Sequence, residues 1–148
     1  MSGLGRPARV LLVEDDPADV QLMRIVFAEA HPDALLRVAT DGEEALRALV
    51  RLAPGEESPD LVLLDLNLPR LSGHEVLAAV RESDAPLARR TPVVVLSNSS
   101  ARGDVQRSYE LGARSHITKP HEIDELFATV SALARYWFET VELPGEPE

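Results

Sequence analysis

Asp65 directly follows an unbroken apolar run, Leu61–Leu64, and is the residue around which a chemical function can be built. The run is too short for a typical helix and suits a strand that is buried on both faces of a sheet. In an open parallel sheet, ligands bind beyond the carboxyl ends of the strands. The position of Asp65 therefore predicts an acid at the functional edge of an α/β protein, although a surface acid capping the next turn would give the same local pattern.

Other apolar runs deliver polar side chains in the same way. The run Val10–Val13 ends in Glu14 and Asp15, and a later run ends in Ser97. A shorter strand-like segment, Ser115–Thr118, ends in Lys119. A doubly wound sheet brings such ends to one edge, so we expect these residues and Asp65 to share a pocket. Taken alone, each has an ordinary alternative, since acids favour helix N-termini, serine is common in turns and most lysines are solvated.

Three carboxylates in one pocket repel one another, and a divalent cation relieves that repulsion. Mg²⁺ is the expected cation because it is hard, prefers oxygen and keeps several waters. Asp15 and Asp65 are the predicted direct ligands, whereas the longer Glu14 is expected to hold a metal-bound water. The backbone carbonyl of Asn67 is expected to supply a further oxygen.

A lysine and a hydroxyl beside these acids indicate an incoming anion. Lys119 would neutralise its charge and Ser97 would hydrogen-bond it. Acids, a metal, a lysine and a hydroxyl together suit a phosphoryl group, whose charge is spread over three oxygens during transfer. Asp65 is then the predicted nucleophile, and the product is an acyl phosphate.

The composition restricts the classes of function. The chain has 148 residues, 45% hydrophobic and 27% charged, which is typical of one globular domain with a real core. Its formal net charge of −10 argues against a nucleic-acid partner, which needs a basic face. It has no cysteine, which excludes disulfides, thiolate catalysis and cysteine-bound zinc. No apolar run suits a membrane span or a signal peptide, so we expect a cytoplasmic protein without a membrane partner.

Strand-like and helix-like segments alternate five times along the chain. The predicted strands are Val10–Val13, Leu35–Ala39, Leu61–Leu64, Val93–Leu96 and Ser115–Thr118. The predicted helices begin at Pro17, after Thr40 or Asp41, after Ser72, at Ser100 and at about Glu122, and the last is expected to run to Val141. This alternation predicts an α/β fold, a parallel sheet with helices on both faces.

One domain is expected to occupy almost the whole chain. We assign it to residues 9–142, with a flexible leader at residues 1–8 and a flexible tail at residues 143–148. The first helix is expected to turn an apolar side inward, formed by Val20, Met23, Ile25, Val26 and Phe27. The histidines His31, His74 and His121 lie outside the strand-end set and are expected at the surface.

Five motifs in this order resemble those of the receiver domains of two-component response regulators. They are Val13–Asp16, Leu64–Pro69, Ser72–Gly73, Val95–Ser97 and Thr118–Pro120, and the resemblance covers about residues 9–135. It implies a flavodoxin-like, doubly wound five-stranded sheet with strand order 2-1-3-4-5. It also implies phosphotransfer from a sensor kinase histidine to Asp65 with Mg²⁺ bound. The hydroxyl of Ser97 would move onto the phosphoryl group, and Lys119 would pair with it.

Several positions bear on how such a receiver would switch and lose its phosphate. His116 lies three residues before the lysine, where the family usually has Tyr or Phe, so the usual coupling of a tyrosine to the hydroxyl is not expected in its usual form. Asn98 stands where a small residue is usual. Asn67 and Ser99 match positions that tune dephosphorylation. The resemblance implies a phosphoacceptor with slow self-dephosphorylation, and not an enzyme.

The end of the chain narrows the resemblance. The segments Leu63–Pro69 and Tyr136–Pro144 resemble those of response regulators that pair with cyanobacterial and bacterial phytochromes. Those regulators are single-domain and dimeric, with an extended last helix. A phytochrome histidine kinase is therefore the expected phosphoryl donor.

The last helix also predicts a homodimer from its own residues. Apolar residues recur at spacings of four and three, at Ile123, Phe127, Val130, Ala134, Trp137 and Val141. Because consecutive helical residues are turned by about 100°, three adjacent aromatic residues cannot all face one sheet. An exposed aromatic cluster usually marks an interface. The predicted interface comprises Phe127, Val130, Ala134, Tyr136, Trp137, Phe138 and Val141.

Two other functions fit parts of the pattern. A magnesium-dependent phosphohydrolase would normally carry a second acid two residues after Asp65, where this chain has Asn67. A flavodoxin-like nucleotide or flavin binder would need a glycine-rich or hydroxyl-rich phosphate loop where this chain has Glu14–Asp16. We therefore expect a stand-alone phospho-receiver that signals by protein contact, with a phosphorelay intermediate or a phosphate sink for another sensor kinase as the alternative.

Overall fold

A five-stranded, all-parallel sheet forms the centre of the protein in a computed structural model that describes residues 6–51, 57–85, 88 and 90–140. The strands are β1 (Arg9–Val13), β2 (Leu35–Ala39), β3 (Leu61–Leu64), β4 (Val93–Ser97) and β5 (Ser115–Thr118). Their order across the sheet is β2-β1-β3-β4-β5. The predicted fold class and strand order are confirmed, and the predicted strand bounds differ from the observed ones by at most one residue.

Five α-helices accompany the sheet in the described part of the chain. They are α1 (Pro17–Ala30), α2 (Gly42–Leu49), α3 (Gly73–Glu82), α4 (Arg102–Glu110) and α5 (Ile123–Arg135), and a π-helical turn, Tyr136–Thr140, follows α5. Three of the helices begin at side-chain caps, because a carboxylate or hydroxyl satisfies free backbone N–H groups there. Asp16 caps α1, Asp41 caps α2, and Ser72 forms a capping box with Glu75 at α3.

The helices cover both faces of the sheet and enclose two hydrophobic clusters. Alternate residues of a strand point to opposite faces, so Leu11 and Val13 contact the cluster under α2 and α3. Val10 and Leu12 contact the cluster under α1 and α5. The strands β1, β3 and β4 have almost no exposed apolar side chain, which explains why their sequences are continuous apolar runs.

The start of the domain and the buried side of α1 differ from the prediction. Residues 6–8 were expected in the flexible leader, but Arg6 pairs with Asp60 at 2.8 Å and Ala8 is buried. Residues 1–5 and 141–148, with Val141 and the predicted tail, lie outside the described residues. Ile25 was expected inward and is 45% exposed, because α1 buries the stripe through Met23 and Val26 instead.

The face of α5 that contacts the core also differs from the predicted one. Residues at spacings of four line one stripe of a helix, and the stripe Leu126, Val130, Ala134 and Phe138 is buried, Phe138 being only 2% exposed. The predicted interface is therefore wrong for Val130, Ala134 and Phe138, which pack inside their own chain. Tyr136 is 51% exposed, and Phe127 and Trp137 are half-buried against the same cluster.

The end of the helical segment changes its hydrogen-bonding geometry. α5 ends at Arg135, and residues 136–140 form a wider π turn in place of the continuous α-helix that was predicted. His31, predicted at the surface, packs its ring 5.4 Å from that of Phe138 and is half-buried. Among the described residues, no helix has both the length and the apolar character needed to cross a bilayer.

Candidate functional site

The carboxyl ends of β1 and β3 bring three carboxylates together. The backbone N–H of Glu14 donates to the carbonyl of Ala39 and that of Asp65 to the carbonyl of Val13, each at 3.0 Å, which continues the sheet ladder one residue beyond the strands. One carboxylate oxygen from each of Glu14, Asp15 and Asp65 lies within 4.8 Å of the others. The predicted convergence of these acids is confirmed.

Glu14 lies deepest of the three acids and is only 3% exposed. Its Oε2 accepts hydrogen bonds from the backbone N–H groups of Asp15 at 3.0 Å and Asp16 at 3.3 Å. Burial raises the pKa of Glu14 to about 7, the hydrogen bond from Lys119 opposes that rise, and the charge of Asp65 adds to it. Two buried carboxylates thus lie close together in a position where added positive charge is favourable.

Lys119 supplies positive charge from the end of β5. Its Nζ donates to Glu14 Oε1 at 2.6 Å and to Asp19 Oδ2 at 3.0 Å, and lies 4.0 Å from Asp65 Oδ2. Burial by itself would lower the pKa of Lys119, but the hydrogen bonds to Glu14 and Asp19 outweigh it and raise that pKa. The ammonium group is therefore charged and is shared among three acids.

Asp19 is a member of the site that the sequence analysis did not include. It lies in the first turn of α1, close after the acidic end of β1. Acids are common in the first turn of a helix because they favour its N-terminal dipole. Only the position of Lys119 in three dimensions distinguishes Asp19 from such a residue.

Ser97 is completely buried at the end of β4. Its Oγ accepts a hydrogen bond from the backbone N–H of Ser99 at 3.2 Å, and its carbonyl accepts one from the N–H of Lys119 at 2.7 Å. Asn67 donates its backbone N–H to Asp65 Oδ1 at 3.4 Å, and its side chain is exposed. The structure thus places the predicted site residues at the same edge of the sheet: Glu14, Asp15, Asp65, Asn67, Ser97 and Lys119.

His116 and Ser99 lie beside this pocket and contact each other. His116 Nε2 is 2.9 Å from the carbonyl oxygen of Ser99, and Nδ1 is 2.9 Å from Ser108 Oγ. His74, predicted at the surface, is half-buried with Nε2 3.1 Å from the same Ser108 oxygen. No motif in the sequence indicated Ser108, which is the buried residue of α4.

Gly73 explains why the loop after Asp65 can pack so closely. A Cβ at this position would lie 2.4 Å from the carbonyl oxygen of Asp65 and 2.7 Å from Cα of Leu66. The backbone N–H of Gly73 also donates to the carbonyl of Leu66 at 2.9 Å. The start of α3 therefore contacts the segment that holds Asp65, and glycine is the residue that permits the contact.

The donor set fits a hard divalent cation. All three acids offer oxygen, which Mg²⁺ and Mn²⁺ accept, and their separation allows one ion to contact more than one of them. Lys119 and the hydroxyl of Ser97 lie at the same edge of the sheet. Chemically, the arrangement can hold a cation beside a carboxylate nucleophile and can neutralise an anionic group placed between them.

Comparison with known proteins gives consistent matches over almost the whole chain. The family model of the response regulator receiver domain matches residues 10–131. Response regulator Rcp1 from Synechocystis sp. is 41% identical over 141 residues, which are 94% of this chain and 95% of that protein.

Solved structures agree with this similarity. The Mn²⁺-bound form of Rcp1 has 39% identity and a TM-score of 0.83, covering 94% of this chain and 100% of that chain. The phosphorylated cyanobacterial phytochrome response regulator RcpA has 36% identity and a TM-score of 0.86, covering 94% and 99%. RPA3017, a response regulator in red light signaling of R. palustris, has 30% identity and a TM-score of 0.84, covering 94% and 99%.

Proposed function

The chain belongs to the family of response regulator receiver domains, and from this premise we propose that it accepts a phosphoryl group from a histidine kinase on Asp65. The observation that carries the proposal is the cluster of Glu14, Asp15 and Asp65 within 4.8 Å, with the Lys119 ammonium 4.0 Å from Asp65. A nucleophile, a place for a cation and a fixed positive charge then meet at one edge of the sheet.

The two oxygens of Asp65 have different surroundings. Oδ1 accepts the backbone N–H of Asn67, and Oδ2 faces Lys119. We assign the attack on the phosphorus of the kinase phosphohistidine to Oδ2. An O–P bond forms, the N–P bond breaks, and the histidine nitrogen keeps the electron pair and takes up a proton. Lys119 neutralises charge on the transferred group, and the hydroxyl of Ser97 donates a hydrogen bond to a phosphoryl oxygen.

Mg²⁺ is the proposed cofactor. Asp15 and Asp65 would bind it directly together with the backbone carbonyl of Asn67, and Glu14 would hold a bound water. When bound there, the cation would neutralise part of the negative charge on the phosphoryl oxygens. The burial of Glu14 beside Asp65 supports this assignment, because burial raises the pKa of Glu14 and the charge of Asp65 adds to that rise, so a cation beside the two carboxylates would be favourable. A related protein, Rcp1, has been solved in a Mn²⁺-bound form.

The protein is proposed to be a phosphoacceptor with slow self-dephosphorylation, and not a hydrolase. Asn67 occupies the position at which a phosphohydrolase of this chemistry would carry a general acid, and an amide cannot donate a proton in that way. Asn67 and Ser99 are the proposed positions that tune the lifetime of the acyl phosphate. The Ser99 hydroxyl donates to the carboxylate of Asp104, which ties it to α4.

A phytochrome histidine kinase is the proposed donor. Support comes from relatives: RcpA is described as a cyanobacterial phytochrome response regulator, and RPA3017 as acting in red light signaling. Output is proposed to run through protein contacts, since a formal net charge of −10 disfavours nucleic acid as a partner. A phosphorelay intermediate or a phosphate sink for another sensor kinase is the alternative.

A homodimer through the last helical segment is also proposed, on a smaller surface than the sequence suggested. Tyr136 and Trp137 form an edge-to-face pair with ring centroids 5.2 Å apart. A groove beside them is lined by Ile117 and Leu133. Phe127 is half-buried on the same helix. Tyr136 is exposed and Trp137 is half-buried, and adjacent aromatic side chains that stay accessible in this way are common in interfaces.

Phosphotransfer measured with a panel of autophosphorylated histidine kinases tests the function. We expect rapid labelling from a phytochrome kinase in the presence of Mg²⁺, and none in Asp65→Asn. Rapid labelling from a different kinase would retain the receiver and reject the phytochrome assignment. No labelling from any kinase or from acetyl phosphate would reject the phosphoacceptor.

A further inference from the structure

A chain of polar contacts links the pocket to two helices through His116. Ser108 Oγ, completely buried in α4, donates to the carbonyl of Asp104 at 3.0 Å and lies within 3.1 Å of both His74 Nε2 and His116 Nδ1. The other ring nitrogen of His116 lies 2.9 Å from the carbonyl of Ser99. These contacts join α3, α4, β5 and the loop after β4.

Counting protons shows what the network requires of His116. The carbonyl of Ser99 can only accept, so Nε2 of His116 carries a proton. The hydroxyl of Ser108 has one proton. If that proton goes to the carbonyl of Asp104, Nδ1 of His116 must carry a proton of its own to bond Ser108. If it turns to Nδ1 instead, the neutral ring is bonded but Ser108 loses its bond to Asp104. The doubly protonated ring therefore allows one hydrogen bond more, and that bond is charge-assisted.

Ser99 connects His116 to Ser97 in the pocket. Its backbone N–H donates to Ser97 Oγ at 3.2 Å, and its hydroxyl donates to the carboxylate of Asp104. Because Ser97 Oγ accepts from Ser99, its own proton is available for a phosphoryl oxygen. A tie at the carbonyl of Ser99 thus holds Ser97 in the orientation of a donor.

We propose that His116 is a positioning residue for the phosphoryl site, and that uptake of a second ring proton by His116 fastens Ser99, and through it the Ser97 hydroxyl, to α4. Among the described residues, the titratable groups joined to this network are His74 of α3, which shares Ser108 with His116, and Asp104 of α4, whose carboxylate accepts from the Ser99 hydroxyl. The hydroxyl of Tyr109, also on α4, accepts the backbone N–H of His116 at 3.1 Å. The inference rests on the proposed function of Asp65 and adds proton-dependent regulation to it.

Phosphoramidate, a small donor that needs no kinase contact, tests the proposal. The rate of Asp65 phosphorylation is measured between about pH 6 and about pH 8, the range in which histidines titrate, for wild type and His116→Gln. Glutamine can donate to Ser99 but does not titrate. The reactivity of the donor depends on pH in the same way for both proteins. The ratio of the wild-type rate to the His116→Gln rate therefore isolates the contribution of His116. We expect this ratio to be about fivefold larger at the lower pH, since one charge-assisted hydrogen bond is gained there.

Three variants make the comparison specific. Ser108→Ala keeps His116 but removes its hydrogen-bond partner on α4. The ratio of the Ser108→Ala rate to the His116→Gln rate should therefore not change with pH. His121→Gln removes an exposed histidine outside the network and should keep the wild-type profile. His74→Gln should keep most of the profile, since it leaves the tie between His116 and Ser99 intact. Parallel pH profiles for wild type and His116→Gln would overturn the proposal.

Nuclear magnetic resonance gives a second measurement that needs no phosphorylation. We expect both ring nitrogens of His116 to carry protons at the lower pH, and the backbone amide signals of Ser97 and Ser99 to shift with the same midpoint. In Ser108→Ala those amide shifts should disappear. Amides that do not follow His116 would overturn the proposal. If wild type takes up no phosphoryl group at any pH, the function of Asp65 is rejected, and the amide titration still decides whether His116 holds the loop.

Discussion

The ammonium group of Lys119 lies 2.6 Å from the carboxylate of Glu14, and this contact joins the end of the last strand to the end of the first. Both side chains are largely buried, at 11% and 4% exposure. The same ammonium also faces Asp19 and Asp65. The ammonium group of Lys119 is therefore surrounded by three acids. The stability of the metal-free protein depends on this positive charge.

Replacing Lys119 by methionine should destabilise the metal-free protein. It leaves the buried carboxylates of Glu14 and Asp65 without a cationic partner, which costs about 3 kcal/mol in comparable pairs, and Mg²⁺ should restore part of that stability. Urea unfolding with a chelator and then with Mg²⁺ measures both effects. Arg107→Met, at an exposed pair with Glu110, is the control and should change stability by less than about 1 kcal/mol. Equal stabilities of Lys119→Met and wild type in chelator would contradict the prediction.

Replacing Asp15 by asparagine should weaken Mg²⁺ binding. The variant loses one charged oxygen from the cluster, and we expect at least a roughly tenfold rise in the Kd for Mg²⁺, or about 1.4 kcal/mol. Isothermal titration calorimetry measures it. Asp16→Asn is the matched control, because asparagine caps α1 as well as aspartate does and residue 16 is outside the cluster. If both variants bound Mg²⁺ as wild type does, Asp15 would not be a ligand.

The stability of the metal-free protein should depend on pH through Glu14. Burial raises the pKa of this carboxyl to about 7, above its unfolded value, so the folded state binds the proton more tightly. The free energy of unfolding should therefore fall as the pH rises from about 5 to about 7, by roughly 1–3 kcal/mol from this group, and level off above that.

Wild type and Glu14→Gln compared by urea unfolding in chelator isolate this contribution. The variant cannot lose a proton at position 14, so the difference in unfolding free energy between the two proteins should change over that pH range. A constant difference from about pH 5 to about pH 8 would show that Glu14 titrates alike in both states.

Gly73→Ala should harm both stability and phosphorylation. The added methyl group would lie 2.4 Å from the carbonyl oxygen of Asp65, so the start of α3 or the nucleophile must move, at a cost of about 1–3 kcal/mol. Gly103→Ala is the control, because a Cβ there meets open space within α4 and should be neutral or stabilising. Thermal unfolding and acetyl phosphate labelling measure the effects, and equal results for the two variants would refute the close-packing explanation.

Tyr136→Glu should disrupt the proposed homodimer. Tyr136 is exposed, so a charge there removes surface for a partner without entering the core. Light scattering after size exclusion should show a dimer for wild type and a smaller species for the variant. Ile25→Glu, an exposed apolar residue on α1, is the control and should leave the dimer unchanged. The proposal fails if Tyr136→Glu and wild type have the same mass.

The five strands and the residues at their ends could be predicted from the sequence. A strand buried on both faces, such as β1, β3 or β4, must be a continuous apolar run, and parallel strands end at a common edge, so the pattern of apolar runs is enough to predict that Glu14, Asp65 and Ser97 lie together. The starts of α1, α2 and α3 were predictable for a similar local reason, since caps such as Asp16 and Ser72 act on backbone groups only two or three residues away. α4 has no side-chain cap and begins at Arg102, two residues after the predicted start.

The orientation of the last helix was decided only by tertiary packing. Apolar residues occur almost all round α5, and their spacing defines several stripes without saying which one faces the sheet. The structure buries the stripe ending in Phe138 and leaves Tyr136 exposed. The same holds for Asp19 and for Ser108 between its two histidines. Lys119 is far in sequence from Asp19, His74 is far from Ser108, and His116 belongs to the strand that follows α4. Only the packing of α1, α3 and α4 against the sheet brings these pairs within hydrogen-bonding distance.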